Sequence, residues 1–171
     1  IAAQQAGEFK DETTPVEIVE RVPNLATGQS DIKQRTVDRD EGARADSNLA
    51  ALGKLKPVFA AKGSVTAGNS SQTSDGAGAL ILVSEKILKQ FNLTPLARFV
   101  SFAVRGVPPE IMGIGPVPST EKALRKAGLS IDDIGLFELN EAFAVQVLSL
   151  LDHFGIADDD PRVNQWGGAI A

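Results

Sequence analysis

The stretch GLFELNEAFAVQVLSLLDHFG, residues 135–155, constrains the fold more than any other part of the 171-residue sequence. A strand-like apolar run (Leu136, Phe137, Leu139) meets a second, helix-like run, with Glu138, Asn140 and Glu141 at the junction. The second run predicts a helix over 141–154. Its polar positions Gln146, Ser149 and His153 form a thin stripe, joined only by Asp152, and every other position from 142 on is apolar. A helix apolar nearly all round is buried on several sides, so this one is expected between two layers. Polar groups at such a junction need partners. Asn140 stands at the carboxyl end of a predicted strand, where α/β sheets bind ligands. Asn is also among the best N-caps, bonding the amide of Ala142 or Phe143, so two readings of Asn140 stand. Glu141 is accounted for by the dipole of the helix it would open.

The rest of the chain alternates strand and helix, which makes the class α/β. Residues 1–57 are polar and charge-rich and read as an excursion packed on a core, with TPVEIVER as a strand and a short amphipathic turn around Leu49, Leu52 and Leu55. From residue 58 the texture changes to a Gly/Ser-rich stretch followed by a strand over 79–83. EKILKQFN is a short helix, LARFVSFAVRG a strand, and VPSTEKALRKAG a helix with Gly128 just past its end.

Several function classes are excluded. With no cysteine there is no disulfide, thiolate metal site or cysteine nucleophile in these residues. A net charge of −5 gives no reason to expect a nucleic-acid partner. No apolar stretch is long enough to span a membrane. No signal-peptide pattern opens the sequence, and a cytoplasmic location is expected. Ser70 and Ser71 make no GxSxG elbow, and the glycines of TAGNSSQTSDGAG match neither a P-loop nor GxGxxG. His153, the single histidine, reads as part of a helix's polar stripe, and no metal site is expected. The first residue, Ile1, and the end at GGAIA read as those of a piece of a longer polypeptide.

Four motifs carry a resemblance. LNEAFA (139–144), VTAGNSSQTSDGAGAL (65–80), MGIGPVP (112–118) and VNQWGGAIA (163–171) together resemble the thiolase family, the acyl-CoA C-acyltransferases, in the family's order and over nearly the whole chain. The resemblance implies a layered α/β fold with a buried central helix between mixed sheets, incomplete here, with 1–57 leading into a C-terminal domain over 58–171. It implies that Asn140 holds a water helping to form an oxyanion hole for the thioester oxygen. Met112 and Phe143 would line the pantetheine and acyl pocket, Ala67 and Ser71 would contact the pantetheine arm, and Arg44 would lie by the adenine of coenzyme A. For Met112 and Phe143, plain core packing is an equal alternative. Gly167 and Gly168 would belong to the segment leading to a catalytic histidine.

The implied substrates are acyl-CoA and free CoA, with no tightly bound cofactor. The implied assembly is a homodimer or homotetramer, with a multifunctional β-oxidation subunit as a further partner. The 3-ketoacyl-CoA branch of β-oxidation matches best and the acetoacetyl-CoA-forming branch second. The family's nucleophilic cysteine, catalytic histidine and acid/base cysteine have no counterpart in these residues, and Trp166 stands where the family has Asn, crowding the loop. A non-catalytic CoA- or partner-binding module is therefore a second hypothesis. A decarboxylating β-ketoacyl synthase is a third, against which the NEAFA motif argues.

Overall fold

The structure, a computed structural model, describes residues 1–170 and divides into two compact units, Ile1–Leu52 and Gly53–Ala171. In the first unit, helix α1 (Ala2–Ala6) ends at Gly7, whose φ of 76° suits glycine. Strands β1 (Val16–Asn24) and β2 (Gln29–Val37) pair antiparallel from Val16↔Val37 to Asn24↔Gln29. The Asn24 side chain accepts the amides of Ala26 (3.1 Å) and Thr27 (3.3 Å), and Gly28 turns the chain at φ 69°. The sequence predicts β1 only. β2 is exposed at all positions but its last and has no apolar face to announce it. The hairpin rests on its backbone ladder and on cross-strand pairs, Arg35 to Glu20 at 2.8 Å and Thr36 to Glu17 at 2.6 Å. A single helical turn, α2 (Leu49–Leu52), closes the unit, with the Asn48 side chain accepting the Ala51 amide at 2.9 Å.

In the second unit, α3 (Glu85–Gln90) is capped by Ser84, α4 (Pro116–Ala127) ends at Gly128 with φ 70°, and α5 (Ala144–Phe154) ends at Gly155 with φ 66°. The core is Phe137, Val147, Leu150, Leu151 and Ile156, flanked by Val117, Ile131, Ile134, Leu139, Phe154 and Val163. Positions 147, 150, 151 and 154 lie one helical turn or one step apart and make a single stripe on α5. His153 Nε2 sits 2.9 Å from Glu121 Oε1, which ties the exposed side of α5 to α4.

Three expectations need correction. The helix begins at Ala144 with Phe143 as its N-cap residue, so Asn140 does not cap it and Glu141 does not sit at its N-terminus. The helix is not buried all round: Val145 is 61% and Leu148 46% exposed. The strands expected over 79–83 and 96–106 are absent, and 134–139 makes a single parallel bridge, Phe137↔Val163. The missing strands share one cause. A strand exists only where a neighbouring strand takes its N–H and C=O groups, and these apolar segments have none beside them. Ser101 Oγ, Lys122 Nζ and Lys126 Nζ instead donate to carbonyls between α4 and residues 101–104.

Leu80, Ile81 and Leu96 are more than 90% exposed. The accessible surface is 14060 Å², against roughly 8000 Å² for a compact monomer of this mass. Exposed apolar surface on this scale is unusual for a monomeric protein. No helix among the described residues is long and apolar enough to cross a membrane.

Candidate functional site

Three segments of the second unit converge. Residues 70–72, leaving the Gly/Ser-rich loop, pair with the turn before α5: Ser70 bridges Phe143, and the Ser71 amide donates to Ala142 O at 3.0 Å. The Gln72 amide donates to Ala169 O at 3.3 Å, which brings in the third segment. Phe143 stacks edge-on to Phe59, with ring centroids 6.4 Å apart. Upstream of Ser70, Thr66 Oγ1 accepts the Gly68 amide (3.2 Å) and Asn69 Oδ1 accepts the Thr66 amide (2.8 Å). This reciprocal cap fixes a tight 3₁₀ turn, Ala67–Asn69.

The third segment is anchored by two residues. The Phe137 amide donates to Arg162 O, and the Asn164 amide donates to Phe137 O, each at 2.8 Å. Arg162 grips Asp160 in a fork (2.7 and 3.0 Å), donates to Ile134 O at 3.0 Å and lies 5.3 Å from the Phe137 ring centre. That fork, with the Arg162 amide, holds the Asp160 carboxyl down at about 2, from an ordinary value of about 3.9.

Asn164 then replaces a strand with its side chain. Its Oδ1 accepts the Leu139 amide at 2.7 Å, while Nδ2 donates to Leu139 O at 3.0 Å and to Glu141 Oε1 at 2.9 Å. Its backbone sits at φ 46°, a left-handed conformation that Asn tolerates. Glu141 Oε2 accepts the Ile170 amide at 3.1 Å. Gly168 lies so close that a Cβ there would overlap the Glu141 carboxylate. Glu141 and Asn164, with Asp158, also form the polar lining of a cleft of about 440 Å³ beside α5, whose apolar wall includes Val147, Leu151 and Val163.

The residues singled out from the sequence fall as follows. Ser71 and Phe143 are brought together at the paired segments, and Ala67 opens the turn just before them. Asn140 is exposed in the turn between Leu139 and Ala142. Met112 is 68% exposed on the turn Pro109–Ile114, which faces α5 where Gly113 approaches Gln146. Arg44 belongs to the first unit, exposed and paired with Asp46 at 3.2 Å, a bond that draws the Asp46 carboxyl below its usual range. None of these six lines the 440 Å³ cleft.

Sequence reasoning missed Glu141 and Asn164 as the fastening of the site. Its account of Glu141 by a helix dipole fails because the helix starts three residues later. The available signal was an Asn three residues before Gly167, in a segment too irregular to be a strand.

Family models match nearly all of the chain: thiolase, N-terminal domain over residues 1–86, and thiolase, C-terminal domain over residues 93–171. The chain is similar to the 3-ketoacyl-CoA thiolase of Bacillus subtilis (strain 168), 49% identical over 96% of this chain and 41% of that protein. It is similar to the beta-ketoadipyl-CoA thiolase of Pseudomonas putida, 47% identical over 99% of this chain and 40% of that protein. It superposes on human mitochondrial 3-ketoacyl-CoA thiolase with a TM-score of 0.81 at 48% identity, covering 99% of this chain and 40% of that one. The chain therefore spans about two fifths of the length of these relatives. With both family models matched in order and the same partial α/β fold in a solved relative, the chain belongs to the thiolase family.

Proposed function

We propose that this chain is part of a thiolase that transfers an acyl group between CoA thioesters, cleaving 3-ketoacyl-CoA with free CoA to acyl-CoA and acetyl-CoA. The observation that carries the reading is the meeting of residues 70–72, 139–143 and 163–170 through backbone hydrogen bonds. These are three of the four segments whose motifs resemble the family's. In this reading the exposed Asn140 holds a water that donates to the thioester oxygen as negative charge develops there. Ala67, Ser71, Met112 and Phe143 line the path of the pantetheine arm, and Arg44 meets the adenine. The acyl group passes through a cysteine thioester, and that cysteine is contributed by the remaining three fifths of the protein. The same polypeptide covers residues 79–83 and 96–106 and supplies the strands they lack.

The acyl chain preference stays within the class. Relatives named for 3-ketoacyl-CoA and for beta-ketoadipyl-CoA match at nearly equal identity, and the acetoacetyl-CoA-forming reaction is the second assignment. A cytoplasmic location and a homodimeric or homotetrameric assembly, with a multifunctional β-oxidation subunit as a further partner, belong to the same proposal.

The pantetheine path is tested at Ser71, whose backbone is fixed by Ala142. Ser71→Leu puts a branched side chain into the path without removing that bond. In the full-length protein it is expected to raise KM for CoA at least roughly tenfold, about 1.4 kcal/mol of lost binding. Because the arm is bound in ground and transition states alike, kcat changes little. Normal CoA saturation by this variant would make the 65–71 loop purely structural.

A further inference from the structure

Asn140 is exposed, yet both of its neighbours are held by one side chain. Asn164 satisfies the N–H and the C=O of Leu139 and gives its second Nδ2 hydrogen to Glu141. Using both Nδ2 hydrogens and the carbonyl oxygen leaves that amide little freedom to rotate or flip. Glu141 in turn holds the Ile170 amide with its other oxygen, and its carboxylate occupies the space that a side chain on Gly168 would fill. The polar knot in the apolar run thus closes on itself across more than twenty residues of sequence.

We infer that Glu141 and Asn164 are positioning residues for Asn140, clamping the residue on either side of it against the 164–170 segment so that its side chain is presented in one direction. The inference rests on the reading of Asn140 as an oxyanion-hole residue. An electrostatic donor acts through preorganisation, so a turn that wanders forfeits rate even when every reacting group is present. Truncating Glu141 leaves the Ile170 amide and one Asn164 Nδ2 hydrogen without their acceptor and frees one side of the turn. Glu141→Gln keeps one acceptor oxygen and restores part of the hold. Gly168→Ala attacks the same contact from the other side by displacing the carboxylate.

The test is a double-mutant cycle on kcat for thiolysis in the full-length protein. Glu141→Ala is expected to lower kcat about 10- to 100-fold with KM for CoA within about twofold, as for a reacting group displaced by an ångström or so. In the Asn140→Ala background the same change is expected to lower kcat by less than about threefold, because the group it positions is gone. Glu141→Gln recovers part of the loss, and Gly168→Ala reproduces it but adds nothing in the Glu141→Ala background. Where Glu141→Ala does not fold, as judged by its thermal unfolding, Glu141→Gln carries the cycle. A lowered kcat in Asn140→Ala together with equal Glu141 losses in both backgrounds overturns the positioning role alone. An unchanged kcat in Asn140→Ala overturns the oxyanion reading and this inference with it.

Discussion

The 171-residue chain on its own is expected to turn over no 3-ketoacyl-CoA, while the full-length protein does. Two independent physical reasons lead there. Acyl transfer through an enzyme-bound thioester needs a thiolate, and these residues contain no cysteine. The chain also exposes about 14060 Å², well above the roughly 8000 Å² of a compact monomer of its mass. A chain that exposes this much total surface, with Leu80, Ile81 and Leu96 each more than 90% exposed, lacks the burial that makes unfolding all-or-none. Alone it should show no sharp denaturant transition and should bind a hydrophobic dye such as ANS. The check is an assay of 3-ketoacyl-CoA cleavage with free CoA, run on both polypeptides beside denaturant titrations. Turnover by the short chain contradicts the assignment of the nucleophile to the rest of the protein.

Asn140→Ala in the full-length protein is expected to lower kcat on the order of 10²–10³-fold, with a much smaller change in KM, the pattern for loss of one preorganised oxyanion donor. The structure removes the main competing explanation. A capping Asn would bond the amide of Ala142 or Phe143, and its loss would cost about 1 kcal/mol of stability; here α5 starts at Ala144 with Phe143 as its cap residue, and Asn140 lies outside it. Its replacement should therefore leave the unfolding midpoint nearly unchanged. An unchanged kcat with weakened CoA binding moves Asn140 from transition-state stabilisation to ground-state contact.

The elements whose signals are local are the ones the sequence reveals. Helix α4 is visible from its apolar face and from Gly128 past its end. α3 shows itself as EKILKQ after a capping Ser84, and β1 as an alternating run. β2 is silent because a strand exposed on both faces needs no apolar pattern, only a partner and a turn. The opposite error occurs at 79–83 and 96–106. Both runs are apolar enough to read as strands, but no neighbouring strand among the described residues takes up their ladder.

The same limit governs the site. Asn140, Ser71 and Phe143 stand in motifs and can be singled out by type and order. Glu141 and Asn164 act through contacts over twenty residues apart, and no local pattern encodes that pairing. Trp166 replaces the residue the family pattern leads one to expect. It is 65% exposed.

The most direct test of the central assignment is product analysis on the full-length protein. It is incubated with a 3-ketoacyl-CoA and free CoA, and the thioesters formed are identified by mass spectrometry. Thiolytic acyl transfer predicts acetyl-CoA and the acyl-CoA two carbons shorter than the substrate, in equal amounts and only when free CoA is present. A folded full-length protein that binds CoA but leaves the 3-ketoacyl-CoA intact contradicts the enzyme assignment and makes this chain part of a non-catalytic CoA-binding member of the family.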